Sequence, residues 1–233
     1  FEDLGGSLHT GSRQKDLRQE GVVWAAGRRG KRQSKWLGLK VHVENLQDLQ
    51  GLEMHLGRSG YVGLAPVEEG RVNVCGLFRL QHYGGRGSEM LWNCLTGNGL
   101  KSLSDRLQEA GPDHSSFTAV SALGFGGQPG NDGLLALGDA ESMIPPFTGN
   151  GMSMAFEAAE TALEPLCQYS EGIASWEKVV RDVRRGLKAR FRRRLQMARI
   201  LHPFLLTPAG RAFLSGATRS GLLPFKALSR TLR

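Results

Sequence analysis

Three kinds of residue between 138 and 153 are spaced so that they could do chemistry together. Asp139 stands directly after a short apolar run, Leu134 to Leu137, and Gly138. A continuous apolar run of that length fits a strand buried on both faces, so the carboxylate is placed at a buried strand's end. Pro145 and Pro146 then exclude helix and hold the chain extended. Gly149, Asn150 and Gly151 follow, and glycines at such a turn let backbone come close to a ligand. From Met152 the pattern becomes helical. Met152, Ala155, Phe156, Ala159 and Leu163 recur at three- and four-residue spacing, and Glu157, Glu160 and Glu164 stay off that stripe, which is therefore expected to face the core. A strand, a glycine-rich turn and a helix start make a natural site for an anion or a carbonyl oxygen, because free backbone N–H groups and the helix dipole point at one spot. Glu141 and Glu157 lie near this turn, but a single glutamate beside a helix start is adequately explained by solvation or the dipole, and neither is assigned catalysis.

The ordered series Gly138-Asp139-Ala140, Pro145-Pro146, Gly149-Asn150-Gly151 and Met152-Ser153-Met154-Ala155 resembles the second FAD-binding motif of the flavoprotein monooxygenase and geranylgeranyl reductase superfamily. The resemblance implies that Asp139, after Gly138, holds the ribityl and pyrophosphate part of FAD and that Pro145 and Pro146 line the isoalloxazine ring. It implies further that the turn Gly149-Asn150 brings the amides of Gly151, Met152 and Ser153 to the pyrimidine edge. A second, shorter likeness lies at Val22 to Ala26, a β-prone run ending at Gly27-Arg28, as does the strand near the FAD pyrophosphate in that superfamily. The family usually has Asp before that glycine, and Ala26 stands there instead. The opening strand with G-x-G-x-x-G of dinucleotide-binding folds is not found; the nearest stretch, residues 124–130, has Pro129 and runs toward a strand. The chain is accordingly read as the C-terminal part of a flavoprotein whose AMP-binding portion lies upstream.

These groups must be positioned by a larger frame. Residues 39–46, 52–57, 61–67 and 72–78 read as short strands separated by turns such as Gly57-Arg58-Ser59-Gly60 and Glu68-Glu69-Gly70, which suggests an antiparallel sheet. In the resembled family such a sheet covers the flavin and forms the substrate pocket, so His42, His55 and Tyr61 are candidates to face it, against the plainer reading that they are structural. Gly84 to Gly87 reads as a loop, Leu100 to Ala110 as a helix ended by Gly111-Pro112, and Ser115 to Leu123 as a further strand. Trp176 to Ile200 reads as a long helix with Val179, Val183, Leu187, Phe191 and Leu195 on one stripe. The expected fold class is α/β with an α+β substrate sheet. It comprises a partial Rossmann-like FAD-binding domain (1–36), an inserted antiparallel substrate domain (37–128), a returning FAD-binding strand, turn and helix (129–170) and a basic helical C-terminal region (171–233).

The 233 residues carry a net charge of +8, but unevenly. Residues 178–233 hold 15 Lys and Arg against one acid, Asp182, which leaves the first 177 residues net acidic. An apolar stripe in a dense basic surround can lie on an anionic membrane, although a helix packed on its own domain with solvated arginines is the commoner arrangement. With one aromatic in the arginine cluster and no nucleic-acid motif, nucleic acid is not expected as a partner. No apolar run approaches the roughly 20 residues that span a bilayer, and no signal peptide is read at the N-terminus. Cys75, Cys94 and Cys167 are too few and too scattered for a disulfide framework or a zinc site, and the histidines show no metal-ligand spacing. A reducing cytoplasmic setting is the expectation, with peripheral membrane contact through the basic helix as the alternative to its packing on its own domain.

Taken with the resemblance, these features imply an FAD-dependent oxidoreductase, either a monooxygenase or a double-bond reductase. NAD(P)H is the expected electron donor, and the expected substrate is a small hydrophobic aromatic, polyketide or isoprenoid-like compound. The rival expectation is a non-catalytic module derived from a flavoprotein that binds an anionic membrane or nucleic acid through its basic tail.

Overall fold

The strand Trp36–Val43 (β2) alternates without a break, with Leu37, Leu39, Val41 and Val43 buried and the residues between them half-exposed. Period-two alternation of this kind can only be satisfied by a sheet with one face on a core. β2 lies inside a five-stranded antiparallel sheet with Glu53–Leu56 (β3), Gly60–Pro66 (β4), Val72–Arg79 (β5) and Pro112–Val120 (β6), in the order β3-β4-β5-β2-β6. The pairing of β2 with β6 shifts register between Lys40 and His42, where the His42 N–H donates instead to Ser116 Oγ at 2.8 Å. The computed structural model describes residues 1–14, 17–28, 34–49, 51–81, 83–128 and 133–220, without the side chains of residues 218 and 219.

One face of the sheet is covered by two short helices, Glu89–Gly97 (α1) and Lys101–Glu109 (α2). Leu91, Trp92, Cys94 and Leu95 of α1 and Leu103 and Leu107 of α2 meet the inward residues of β2, β4 and β5 in a single core. Each such fully buried aliphatic side chain contributes roughly 1.5–3 kcal/mol. Sequence reasoning found α2 but not α1, which sits behind the loop of four residues at Gly84 to Gly87. The end of α1 is fixed to the sheet by the buried Asn98. Its Oδ1 accepts from Ser59 N–H at 2.7 Å and from Ser59 Oγ at 2.9 Å, while its Nδ2 donates to the Cys94 carbonyl at 2.8 Å and to Tyr83 Oη at 3.0 Å.

The rest of the chain builds a second layer. Val23–Trp24 (β1) pairs in parallel with Leu135–Ala136 (β8), and Gly126–Gly127 (β7) pairs antiparallel with Ser142–Met143 (β9). Gly151–Ser170 (α3), Trp176–Leu205 (α4) and Pro208–Arg219 (α5) follow. The four-residue stripe expected for α4 is the one observed, with Val179, Val183, Leu187 and Phe191 buried against α3 and β8. Ser175 caps α4 by accepting from the Lys178 N–H at 3.4 Å.

The face of α3 was read wrongly from sequence. Met154, Ala158 and Ala162 are its buried residues, whereas Met152, Phe156 and Leu163 are 78%, 76% and 63% exposed. The helix is apolar on two sides, and periodicity cannot choose between them. Packing does: the small residues Ala158 and Ala162 let α4 approach closely. Glu157 is also turned toward α4, where its carboxylate meets Arg194 Nη1 at 2.8 Å and Arg190 Nε at 3.0 Å. Arg194 is itself buried, so it is not one of the solvated arginines the sequence suggested. The guanidinium of Arg194 is the main cause that holds the Glu157 carboxyl below the ordinary carboxylate range.

Candidate functional site

β1 and β8 place two distant pieces of sequence side by side. Val23 is in register with Leu135 and Trp24 with Ala136, and the Leu137 N–H continues the ladder by donating to the Trp24 carbonyl at 3.0 Å. Because the strands are parallel, Gly27-Arg28 and Gly138-Asp139 both leave at the same, C-terminal edge. That edge is where open parallel sheets bind ligands. The chain turns sharply there, with Gly27 at φ +77° and Gly138 at φ +60°, in the left-handed region that favours glycine. A Cβ on Gly138 would come to 3.4 Å from that of Ala155, which places the turn against the first turns of α3.

Asp139 is half-buried on a single 3-10 turn. Burial pushes its carboxyl above the ordinary range, opposed in part by the positive charge of Arg28. Arg28 in turn donates through Nη2 to the Ser121 carbonyl at 2.9 Å and through Nη1 to the Ala122 carbonyl at 3.3 Å. Ala122 lies at φ +56°, an uncommon conformation for a residue with a side chain, in the loop between β6 and β7. Arg28 therefore ties the end of the large sheet to the edge of the parallel pair. Residues 29–33 lie outside the described residues, as do Pro129 and Gly130.

Pro145 and Pro146 carry the chain extended into a 3-10 turn, Pro146–Thr148, closed by Gly149 at φ +66°. The left-handed residue of this turn is thus Gly149. Gly151 is the first residue of α3, and Asn150 before it makes no capping hydrogen bond with its side chain. A Cβ built on Gly27, Gly149 or Gly151 would meet no atom within 4 Å. The eleven residues expected from sequence to meet the cofactor fall on three adjoining features: the two strand ends (Gly27, Arg28, Gly138, Asp139), the proline turn (Pro145, Pro146, Gly149) and the start of α3 (Asn150, Gly151, Met152, Ser153).

Beside the proline turn lies a feature that sequence reasoning missed in most of its parts. Tyr61, Trp36, Phe125, Phe147 and His202 form an aromatic cluster, with His202 stacked on Phe147 at 5.7 Å and 4°, and 4.8 Å from Trp36. Of the pocket candidates only Tyr61 belongs here: it is buried, its hydroxyl accepts the Phe147 N–H at 3.2 Å, and burial raises its pKa. His55 is paired with Glu53 at 2.9 Å on β3, where it lies opposite Val62 while its neighbour Leu56 lies opposite Tyr61, and His42 sits on the β2–β6 bulge. His202 is buried with Nε2 lacking any hydrogen-bond partner, and burial first, then Arg79, lowers its pKa to about 4. It could have been found as the next member of the α4 series Phe191, Arg194, Ala198. A cavity of about 460 Å³ opens beside it, lined by Phe125, Gly126, Gly127, Met143, Pro145 and Leu195, with Gln196 and Arg199. Among the described residues no group of three or more His, Cys, Asp or Glu could hold a metal ion, and no helix is long and apolar enough to cross a membrane.

This mixed α/β arrangement, an antiparallel sheet set over a parallel strand edge and long C-terminal helices, is shared with solved flavoproteins. The flavin-dependent brominase Bmp2 superposes with a TM-score of 0.66 at 16% identity, over 91% of this chain and 56% of its own. PqsL, a probable FAD-dependent monooxygenase from Pseudomonas aeruginosa, gives 0.55 at 18% identity over 85% and 58%, and is also known in complex with 2-aminobenzoylacetate. A flavoprotein/dehydrogenase from Cytophaga hutchinsonii gives 0.55 at 15% identity over 76% and 44%. The chain thus spans about half the length of these proteins, and at such identities the likeness is one of fold. No protein-family model and no curated protein matches the sequence.

Proposed function

We propose that this chain supplies the flavin-ring and ribityl contacts of an FAD-dependent oxidoreductase, a monooxygenase or a double-bond reductase acting on a small hydrophobic substrate. The observation that carries the reading is the convergence of Gly27-Arg28 and Gly138-Asp139 at one edge of a parallel strand pair, against the uncapped start of α3. The solved flavoproteins of similar fold support it.

FAD fits the residues present. The backbone at Gly27, Gly149 and Gly151 is open to close approach, since even a methyl group there would touch nothing. The Asp139 carboxylate can accept hydrogen bonds from ribityl hydroxyls, and Arg28 adds positive charge toward a pyrophosphate while holding the strand end in place. The first-turn amides of Gly151, Met152 and Ser153 can donate to carbonyl oxygens of the flavin's pyrimidine edge, favoured by the helix dipole. Pro146 is exposed at the start of the turn and contributes no competing N–H there, while Pro145, buried, lines the neighbouring cavity. The bound cofactor would supply the redox chemistry, with electrons from a donor such as NAD(P)H passing to dioxygen or to an unsaturated carbon.

The substrate would enter the cavity at Pro145. Its walls are aromatic and aliphatic, with Gln196 and Arg199 as polar members, which suits a planar aromatic compound with one polar substituent. His202 stays neutral at pH 7 and keeps the cluster wall uncharged. The test is whether the purified protein takes up FAD on dialysis and whether NADH or NADPH bleaches the bound flavin without oxygen. Flavin uptake with bleaching is expected; no uptake at saturating FAD contradicts the proposal.

A further inference from the structure

We infer that the outer edge of α4, together with the α4–α5 corner, is a docking surface for an anionic lipid membrane. Arg181, Arg185, Lys188, Arg192 and Arg199 are all exposed and recur at intervals of four, three, four and seven residues. That spacing keeps them on one stripe of the helix, about 27 Å long at 1.5 Å per residue. The stripe lies away from the buried face of Val183, Leu187 and Phe191, and its last member, Arg199, also lines the mouth of the cavity beside His202. Arg181 and Arg185 only approach Asp182, at 3.9 Å each, and Lys188, Arg192 and Arg199 have no ion pair among the described residues. This departs from a merely solvated arginine face, where both signs of charge are normally interspersed.

A second, independent feature stands at the end of the stripe. Ile200 and Phe213 are each 64% exposed, and Phe204 is 39% exposed and lies 6.2 Å from Phe213, ring to ring. Ile200 stands one helical turn before Phe204, so the three large apolar side chains make an exposed patch at the C-terminal end of α4, beyond Arg199. Arg211 on α5 donates to the Gly57 carbonyl at 3.2 Å, in the turn between β3 and β4, and to the Leu206 carbonyl at 2.8 Å at the end of α4, which ties the corner to the sheet. A cationic stripe ending in exposed aromatic and aliphatic side chains is the combination that holds a helix at a membrane interface: the cations meet anionic headgroups and the apolar corner enters the acyl boundary. Nucleic-acid phosphates would use the stripe but leave the corner without a partner. This inference does not depend on flavin binding.

The experiment is flotation of the full chain with phosphatidylcholine vesicles, with and without phosphatidylserine. Wild type should bind the anionic vesicles, in a salt-sensitive manner, and not the neutral ones. Lys188→Glu/Arg192→Glu should weaken that binding at least about 20-fold. Phe213→Ser leaves the charge intact and should weaken it at least about fivefold, while leaving any binding to a homopolymeric RNA unchanged. Both sites are exposed, so far-UV circular dichroism and melting temperature should match wild type. Equal binding to neutral and anionic vesicles, wild-type vesicle binding by Phe213→Ser, or tight RNA binding with no vesicle binding would each overturn the inference.

Discussion

The Leu137 amide donates to the carbonyl of Trp24 at 3.0 Å, and this bond carries the parallel pairing of β1 and β8 up to the residue before Gly138. It fixes the distance between two turns that are more than a hundred residues apart in sequence. The candidate site is therefore a property of the strand pair, and changes to the pair, to its second layer or to the neighbouring aromatic cluster should have separable effects.

The ion pair under α3 is expected to matter for stability. Glu157→Gln leaves the buried Arg194 without its carboxylate and should lower unfolding free energy by about 3 kcal/mol, whereas Glu157→Met/Arg194→Met should recover most of the loss. Urea unfolding of the three proteins checks this, and equal stability of all of them would contradict the assignment of Arg194 as a buried partner.

Much of the frame was legible in sequence, for physical reasons that also explain the errors. β2 alternates because one face is buried, and the α4 stripe repeats because one side meets α3; both signals survive in the residue pattern. α3 gave a clear period but the wrong face, since Met152, Phe156 and Leu163 are as apolar as Met154 and Ala158, and only the partner helix distinguishes them. The turns that carry the candidate residues were legible because turn chemistry is local: Gly138, Gly149 and the two prolines reveal themselves by type. The aromatic cluster was not, because Trp36, Tyr61, Phe125, Phe147 and His202 come from five separate stretches that no short pattern connects.

The corrected face of α3 gives a direct comparison. In this chain Met154→Ala should cost about 2–4 kcal/mol through the cavity it leaves, and Phe156→Ala should stay within about 0.5 kcal/mol. Thermal melts of the two variants check it; the opposite ranking would restore the face first read from sequence.

His202 should make stability depend on pH. Its folded pKa, about 4, lies below the ordinary value of 6.5, so between these values the unfolded chain binds a proton that the folded chain does not. Stability conferred by this site is therefore intact above about pH 6.5, falls as pH drops toward 4, and is lost below it, on the order of 2 kcal/mol in all. Glu157, held below its ordinary range, adds a loss that begins near and below pH 4.5. His202→Leu should flatten the profile between pH 6.5 and 4.5 while leaving the lower limb. An unchanged slope in that variant would show that the titrating group is elsewhere.

The central claim is that Asp139 and the start of α3 hold a flavin. It is tested most directly by titrating FAD into wild type, Asp139→Ala, Gly151→Val and the exposed control Glu164→Gln, following flavin fluorescence. Gly151 has no positive φ and its surroundings are open, so valine there should leave the fold intact and act only on what approaches the helix start. The account predicts saturable binding to wild type and the control, with affinity lowered at least about tenfold in Asp139→Ala and in Gly151→Val. The same affinity in all four proteins, or no saturable binding to wild type, would contradict it.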